Sequence, residues 1–194
     1  MSAVGDLLKG HLAPASPDPP LPAGTPAGVL VPILEREGAP PALLFTLRSQ
    51  EVRDHKGEIS FPGGVRHEED PDLLTTAIRE TEEELGIRPE SLDVLGALPP
   101  VLTVVTDYVI LQVVAILRDG TDLDPSPVEI AEVLELGIHD LVRVEEEVTL
   151  ETRQAWFAYT VDRHTVWGAT GRIVHAFLEA LKASGWPRRT GEGG

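Results

Sequence analysis

The stretch Arg79-Glu80-Thr81-Glu82-Glu83-Glu84-Leu85-Gly86 carries the most informative pattern in this sequence. An α-helix turns by about 100° per residue. At that spacing the carboxylates of Glu80, Glu83 and Glu84 fall on one side of a helix. A stripe on nearly the opposite side is expected to face the core: Leu74, Ala77, Ile78, Thr81 and Leu85. The stretch therefore predicts a helix with one core-facing side and one acidic side.

The ends of this helix are marked by residues with known terminal preferences. Asp70 is placed to be the N-cap, and Pro71 suits the first helical position. Gly86 follows the last turn, where a glycine commonly ends a helix. The pattern predicts a helix over residues 71–85.

The acidic side of the helix predicts a site for a divalent cation. Carboxylates three and four residues apart repel one another, and the helix C-terminus also disfavours negative charge. Hard cations such as Mg²⁺ or Mn²⁺ suit such oxygen clusters. The alternative is a solvated acidic face in an acidic protein. The upstream loop Phe61-Pro62-Gly63-Gly64 favours the cation site, because two glycines let the backbone approach a ligand or the helix closely.

Composition excludes several other kinds of site. The 194-residue chain has no cysteine, which excludes disulfides, a thiolate nucleophile and a cysteine zinc site. Its 16 Lys and Arg against 32 Asp and Glu give a net charge of −16, which argues against a nucleic-acid partner or an anionic membrane surface.

No apolar run approaches the roughly 18 residues of a membrane span. With no visible signal peptide, we expect a cytoplasmic protein.

Most of the remaining chain predicts strands. Apolar or alternating runs predict them over residues 29–34, 42–47, 108–117, 128–136, 155–161 and 165–167. A short helix is expected around Asp140, and the helical spacing of Ile173, Val174, Phe177, Leu178 and Leu181 predicts a C-terminal helix. The fold class is α/β (α+β), with a mixed sheet packed between helices. We expect an amino-terminal segment and Pro-rich arm over 1–27, one domain over 28–186 and a flexible tail over 187–194.

The glycine pair and the acidic helix together resemble the Nudix box. That box is Gly, five residues of any kind, Glu, seven of any kind, then Arg-Glu-U-x-Glu-Glu-x-Gly-U with U aliphatic. The matching residues are Gly64, Arg79, Glu80, Glu83, Glu84, Gly86 and Ile87. Asp70 stands where the first Glu is expected, Arg79 comes one residue later than in the general box, and Thr81 replaces an aliphatic residue.

The longer spacing resembles one branch of the family, the coenzyme A pyrophosphatases. Their upstream signature is similar to Leu44-Phe45-Thr46-Leu47-Arg48-Ser49 followed by Arg53, Gly57 and Phe61-Pro62-Gly63-Gly64. Residues 166–173, Val-Trp-Gly-Ala-Thr-Gly-Arg-Ile, also look like that branch. The resemblance implies a Nudix fold and Mg²⁺- or Mn²⁺-dependent hydrolysis of the diphosphate of coenzyme A, a small-molecule substrate, to 4′-phosphopantetheine and adenosine 3′,5′-bisphosphate.

The resemblance also implies roles for single residues. Glu80, Glu83 and Glu84 are the expected metal ligands, and Glu83 could instead accept a proton from water. Arg79 is expected to pair with a box glutamate or to brace the glycine loop, against the alternative of an ordinary surface ion pair. Glu129 stands where related enzymes often place a further acidic ligand or base, against the alternative of a solvent-facing strand residue. The expected substrate-binding residues are Arg48, Arg53, Lys56, Gly63, Gly64 and Arg66. The four basic residues cluster beside the glycine loop of an acidic chain, which suits a phosphate, and the alternative is a solvated basic loop that balances the acidic helix.

Two other functions remain open at this level. A Nudix diphosphatase for ADP-ribose or another nucleoside diphosphate derivative would keep the box without needing the upstream signature. A non-catalytic, nucleotide-sensing Nudix-fold regulator is the alternative of another class. Such domains often lose a box glutamate, and all three are present here, which favours catalysis. The sequence leaves the oligomeric state open.

Overall fold

The computed structural model describes residues 3–15, 21–50, 57–103, 107–149 and 155–186. Within these segments the helices are α1 (Ala3–Leu8), α2 (Leu73–Leu85), α3 (Ile138–Arg143) and α4 (Gly168–Ala183). The strands are β1 (Thr25–Leu34), β2 (Ala42–Arg48), β3 (Ile59–Ser60), β4 (Gly63–Val65), β5 (Leu92–Leu102), β6 (Tyr108–Leu117), β7 (Ile130–Gly137), β8 (Glu145–Thr149), β9 (Ala155–Val161) and β10 (His164–Val166). None of the described helices is long and apolar enough to cross a membrane.

The larger sheet is mixed, as the sequence predicts. Its strand order is β3-β2-β1-β6-β5, with β4 paired to β1 and β7 paired to β2. The central strands β1 and β6 run parallel in register, and the other pairs in this sheet are antiparallel. The β6 residues after Tyr108 are buried, and a strand covered on both faces needs such a continuous apolar run. The smaller sheet has the order β10-β9-β8.

Helices cover both faces of the larger sheet. On one face, Leu73, Ala77 and Leu85 of α2 pack on a cluster that contains Leu30 and Leu111. On the other face, the apolar sides of α1, α3 and α4 join the opposite side chains of the same central strands. The predicted arrangement of a mixed sheet between helices is therefore confirmed.

The start of α2 differs from the prediction. The helix begins at Leu73, and its N-cap is Asp72, whose carboxylate accepts a hydrogen bond from the Thr75 backbone N–H at 2.7 Å. The predicted N-cap at Asp70 and first helical position at Pro71 are therefore wrong. The predicted stop at Gly86 is confirmed: its φ of 68° is left-handed, and its N–H donates to the Glu82 carbonyl.

The orientation of α2 also departs from the predicted stripe. Leu74 and Ile78 are only partly buried, whereas Glu84 is 3% exposed. Glu84 lies opposite the predicted core-facing stripe and is nevertheless buried, because neighbouring strands and loops close over this end of the helix. Gly28 sets how close the helix lies to β1: a Cβ there would be 2.5 Å from the Leu73 carbonyl oxygen.

The two ends of the chain bear on the predicted division into segments. Strand β1 begins at Thr25, and Ala13 forms an isolated bridge with Ala97 of β5. The boundary at residue 28 stays a prediction. The tail over 187–194 lies outside the described residues.

Candidate active site

The glycine loop lies directly against the acidic helix. Strand β4 pairs antiparallel with residues 27–29 of β1, which places Gly64 beside α2. A Cβ at Gly64 would lie 2.5 Å from Cδ of Glu80 and 2.6 Å from each of its carboxylate oxygens. The backbone of the loop therefore packs so closely against the carboxylate of Glu80 that a side chain at position 64 would displace it.

Arg79 joins three carboxylates around this loop. Its guanidinium donates through Nε to Oδ1 of Asp70 and through Nη2 to Oδ2, both at 3.0 Å. Nη2 also lies 2.8 Å from Oε1 of Glu80, and Nη1 donates to Oε2 of Glu83 at 2.9 Å. Arg79 thus ties the loop before α2 to the acidic side of the helix.

Asp70 is the buried partner in this network. Its carboxylate also accepts hydrogen bonds from the His67 backbone N–H and from the Thr76 hydroxyl, each at 3.0 Å. The hydrogen bonds from Arg79, assisted by those from His67 and Thr76 and opposed by burial, hold the pKa of the Asp70 carboxyl well below its usual value. Asp70 therefore braces Arg79 instead of capping the helix.

The lowered pKa of Asp70 predicts a pH dependence of stability. Asp70→Asn should lower the free energy of unfolding at pH 7 by about 2 kcal/mol, since hydrogen bonds to charged groups contribute about 1.5–3 kcal/mol. As pH falls, the unfolded chain binds a proton at Asp70 near pH 3.9, and the folded chain does so only at lower pH. The contribution of Asp70 to the free energy of unfolding is therefore complete above about pH 5 and decreases as pH falls below that. Urea unfolding of both proteins between pH 7 and pH 3 measures this. If the difference in the free energy of unfolding between the wild type and Asp70→Asn stays constant over this pH range, the lowered pKa is wrongly assigned to Asp70.

Glu84 is the most deeply buried carboxylate of the acidic helix. Nη1 of Arg48 lies 3.3 Å from its Oε1, and a backbone hydrogen bond from Gly63 also reaches the carboxylate. Burial raises the pKa of Glu84 to about 7, against the lowering effect of Arg48, and the charges of Glu80 and Glu129 raise it further. The Oε2 atom is buried and has no hydrogen-bond partner among the described residues.

Two strand ends bring their residues to Glu84. In the β2–β7 ladder Arg48 pairs with Ile130, and the Ser49 N–H donates to the Glu129 carbonyl at 2.8 Å. The loop before β7 is anchored to the helix, because the Ser126 N–H donates to the Glu84 carbonyl at 2.9 Å. These contacts place Glu129, an exposed residue, on the side of the helix that carries Glu84.

Glu80 and Glu83 differ in exposure. The Glu80 side chain is 16% exposed, and burial raises its pKa while the hydrogen bond and charge of Arg79 lower it. The Glu83 side chain is 58% exposed and is held at the surface by Arg79. The charge of His67 also lowers the pKa of Glu80, a proximity that the sequence analysis missed. The sequence does contain a signal for this proximity, because His67 is a titratable residue in the short loop between the glycine pair and the helix.

The predicted substrate-binding residues occupy different surroundings. Arg66 donates to the carbonyl oxygens of Asp70 at 3.1 Å and Pro71 at 2.5 Å, so its guanidinium supports the loop before α2. Arg53 and Lys56 lie outside the described residues. Of the predicted basic cluster, the structure therefore brings Arg48 to the acidic helix and Arg66 to the loop that precedes it.

The residues around Glu84 fit a divalent cation. The side chains of Glu80 and Glu84 offer carboxylate oxygens, which are the ligands that hard divalent cations prefer. The unpartnered Oε2 of Glu84 supplies an independent sign, because buried polar atoms normally have a partner. A cation at this oxygen would offset the cost of a buried negative charge.

A second acidic cluster fits a metal less well. In the described part of the chain, Glu145, His175 and Glu179 form a group of three ligand-type residues whose donor atoms all lie within 4.8 Å, whereas the predicted ligands Glu80, Glu83 and Glu84 do not come that close together. The Lys182 ammonium already donates to Glu145 at 2.9 Å and to Glu179 at 2.8 Å, and the Tyr159 hydroxyl donates to Glu145 at 2.7 Å. Because a cation and hydrogen bonds already balance these carboxylates, the cluster is a structural ion-pair network.

Comparison with known proteins agrees with this arrangement of loop and helix. A family model of the NUDIX domain matches residues 24–163. The chain is 32% identical over 161 residues to an uncharacterized Nudix hydrolase, NudL, of Photorhabdus laumondii, covering 80% of this chain and 84% of that protein. A NUDIX hydrolase structure from Alicyclobacillus acidocaldarius matches with a TM-score of 0.55 at 16% identity, covering 82% of this chain and 93% of that one. A binary complex of a C. elegans Ap4A hydrolase matches with a TM-score of 0.52 at 21% identity, covering 60% of this chain and 83% of that one.

The two structural matches support the fold alone. The family model spans most of the chain, and the curated relative is similar over most of both proteins. The Gly64 loop, Arg79 and the three glutamates of α2 lie within the matched range. The chain therefore belongs to the Nudix hydrolase family.

Proposed function

We propose that this Nudix hydrolase cleaves the diphosphate of coenzyme A, with Mg²⁺ or Mn²⁺, to 4′-phosphopantetheine and adenosine 3′,5′-bisphosphate. The observation that carries the proposal is the contact between Arg48 and Glu84. Arg48 belongs to the upstream signature that resembles the coenzyme A branch, and Glu84 belongs to the box. The two motifs therefore meet in one site.

The proposed site assigns a task to each carboxylate. Glu80 and Glu84 hold the cation, as oxygen ligands next to the backbone of the glycine loop. When bound, a divalent cation neutralises charge on the diphosphate and orients the attacking water. Glu129 is exposed beside Glu84 and is our first candidate to accept the proton of that water. Glu83 is the second candidate for a ligand or base, and its carboxylate is paired with Arg79.

The hairpin before the glycine loop supports the choice of substrate. The Arg48 N–H donates to the Glu58 carbonyl at 3.0 Å, and the Gly57 N–H donates to the Arg48 carbonyl at 3.1 Å. Of the residues on either side of the segment that contains Arg53 and Lys56, Arg48 therefore contacts the acidic helix and Gly57 contacts Arg48. We propose that these two residues contact the 3′-phosphate, which coenzyme A carries and ADP-ribose lacks, because charged donors bind phosphate well. We propose that the backbone of Gly63 and Gly64, which packs against β1 and Glu80, lies beside the bound diphosphate. Arg66 supports the loop that follows.

A substrate panel with product analysis tests this function. Coenzyme A, ADP-ribose and NADH are each incubated with the protein and Mg²⁺ or Mn²⁺, and the products are separated by chromatography. We expect coenzyme A to be cleaved fastest and cleavage to stop when EDTA removes the metal. In ¹⁸O-labelled water, one label should enter one of the two products and none the protein, because water attacks directly.

The same panel distinguishes the other two functions. Faster cleavage of ADP-ribose than of coenzyme A, or release of free phosphate, would exclude the proposed substrate. Nucleotide binding without hydrolysis of any compound, at saturating metal, would favour the regulatory function.

A further inference from the structure

The guanidinium of Arg48 forms an ion pair with a carboxylate of the acidic helix. Nη1 lies 3.3 Å from Oε1 of Glu84, and the Arg48 side chain is 24% exposed. Its Nε atom is buried without a hydrogen-bond partner in the described segments. A charge this enclosed is less accessible to a large anionic substrate than a surface arginine is.

The backbone of Arg48 is held on both sides. Arg48 is the last residue of β2, and its N–H and carbonyl are both bonded to the β3 side of the hairpin, to Glu58 and Gly57. On the other edge, it pairs with Ile130 of β7 after a bulge at Leu47. These pairings fix the direction in which the side chain leaves the sheet, towards the C-terminal half of α2.

The two oxygens of Glu84 have different surroundings. Oε1 faces Arg48, whereas Oε2 is buried and lacks a hydrogen-bond partner among the residues that the structure describes. An ion pair to one oxygen restrains rotation of the whole carboxylate and therefore sets where the other oxygen points. Hydrogen-bonded partners of metal-binding carboxylates commonly have this orienting effect.

We propose that Arg48 is a positioning residue of the cation site, which holds Glu84 through Oε1 and presents Oε2 to a divalent cation. This inference rests on the proposed function in one respect, because it takes Glu84 as a metal ligand. It assigns Arg48 to the ligand instead of to a substrate phosphate. Replacing Arg48 has two effects on cation binding, and they have opposite signs. Loss of positioning weakens binding, whereas loss of the positive charge strengthens it, so the direction of the change in Kd shows which effect dominates.

Binding of Mn²⁺ without substrate tests the inference. Free Mn²⁺ is measured by electron paramagnetic resonance in titrations of the full chain and of Arg48→Met, which keeps the unbranched apolar stem of the side chain and removes the charged guanidinium. We expect the Kd for Mn²⁺ to rise about tenfold or more, within the 10–100-fold range typical for loss of an orienting partner. Saturating Mn²⁺ should restore the turnover of Arg48→Met with no change in the KM for coenzyme A.

A matched control and a conservative variant complete the design. Arg36→Met removes an arginine that pairs with Glu135 at 2.6 Å, away from the box, and should leave the Mn²⁺ affinity unchanged. Arg48→Lys loses the forked guanidinium but can still pair with Oε1 of Glu84, so its Kd should rise less than that of Arg48→Met. If circular dichroism shows that Arg48→Met does not fold, the Kd of Arg48→Lys is used to test the inference.

The outcomes separate this inference from the proposed function. An unchanged or lower Kd for Mn²⁺ in Arg48→Met, or in Arg48→Lys if Arg48→Met does not fold, overturns the positioning role. An unchanged Kd in Glu84→Gln overturns it as well, since Glu84 would then not be a ligand. If the wild-type chain binds Mn²⁺ in this Arg48-dependent way and fails to cleave coenzyme A, the proposed substrate is wrong and the positioning role stands.

Discussion

Glu80→Gln and Glu84→Gln are each expected to lower turnover at least about 1000-fold while the protein remains folded. Each change removes a charged oxygen ligand and keeps the volume of the side chain. A catalytic metal contributes several kcal/mol to transition-state stabilisation, and about 4 kcal/mol corresponds to a factor of 1000. The measurement is steady-state hydrolysis of coenzyme A over a range of Mg²⁺ concentrations, with circular dichroism as the check on folding.

The matched control for this pair lies on the same helix. Glu82 is exposed, and the contacts described above connect its backbone carbonyl, not its side chain, to a neighbour, Gly86. Glu82→Gln removes the same charge and should keep wild-type turnover. Wild-type turnover of Glu80→Gln or Glu84→Gln at saturating Mg²⁺ would show that the metal assignment is wrong.

Gly64→Ala should lower turnover about 100-fold with little change in thermal stability. The new Cβ would meet the carboxylate of Glu80, which is the end of a flexible side chain and can move aside. The displaced carboxylate could no longer bind the cation in its original geometry, and a misplacement of about 1 Å can lower the rate about 100-fold. Turnover and melting temperature, measured on the same preparation, give both quantities.

Gly28→Ala is the contrasting variant for this prediction. Its Cβ would lie 2.5 Å from the Leu73 carbonyl oxygen and 3.0 Å from the Ala77 nitrogen, both backbone atoms that cannot turn aside. Here the helix itself must shift, so we expect a loss of about 1–3 kcal/mol in the free energy of unfolding. Gly64→Ala with full turnover, or with a loss of stability as large as that of Gly28→Ala, would contradict the assigned contact.

Local patterns account for the elements that the sequence predicts well. The predicted strand over 108–117 coincides with β6, because a continuous apolar run of that length is typical of a strand buried on both faces. Gly86 ends α2 as predicted, since glycine reaches the left-handed conformation without steric cost. Both features depend on residues that are neighbours along the chain.

The use of Asp70 and Asp72 could not be predicted in this way. Both aspartates precede the helix and both are chemically able to cap it. Asp72 caps the helix, whereas Asp70 is drawn to Arg79, nine residues further along the chain. That choice depends on how the loop before α2 folds back onto the helix, which no local preference encodes.

The mixed α/β architecture, the acidic helix with its glycine loop and the resemblance to the Nudix box can all be predicted from the order of the residues. These features follow from periodicity, turn chemistry and motif spacing, which are properties of residues close together in the chain. The burial of Glu84, the exposure of Glu83 and the ion pair between Arg48 and Glu84 become visible only in the folded chain. Burial and ion pairing depend on which distant segments close over the helix, here the end of β2 and the loop before β7, and helical rotation alone carries no information about those segments.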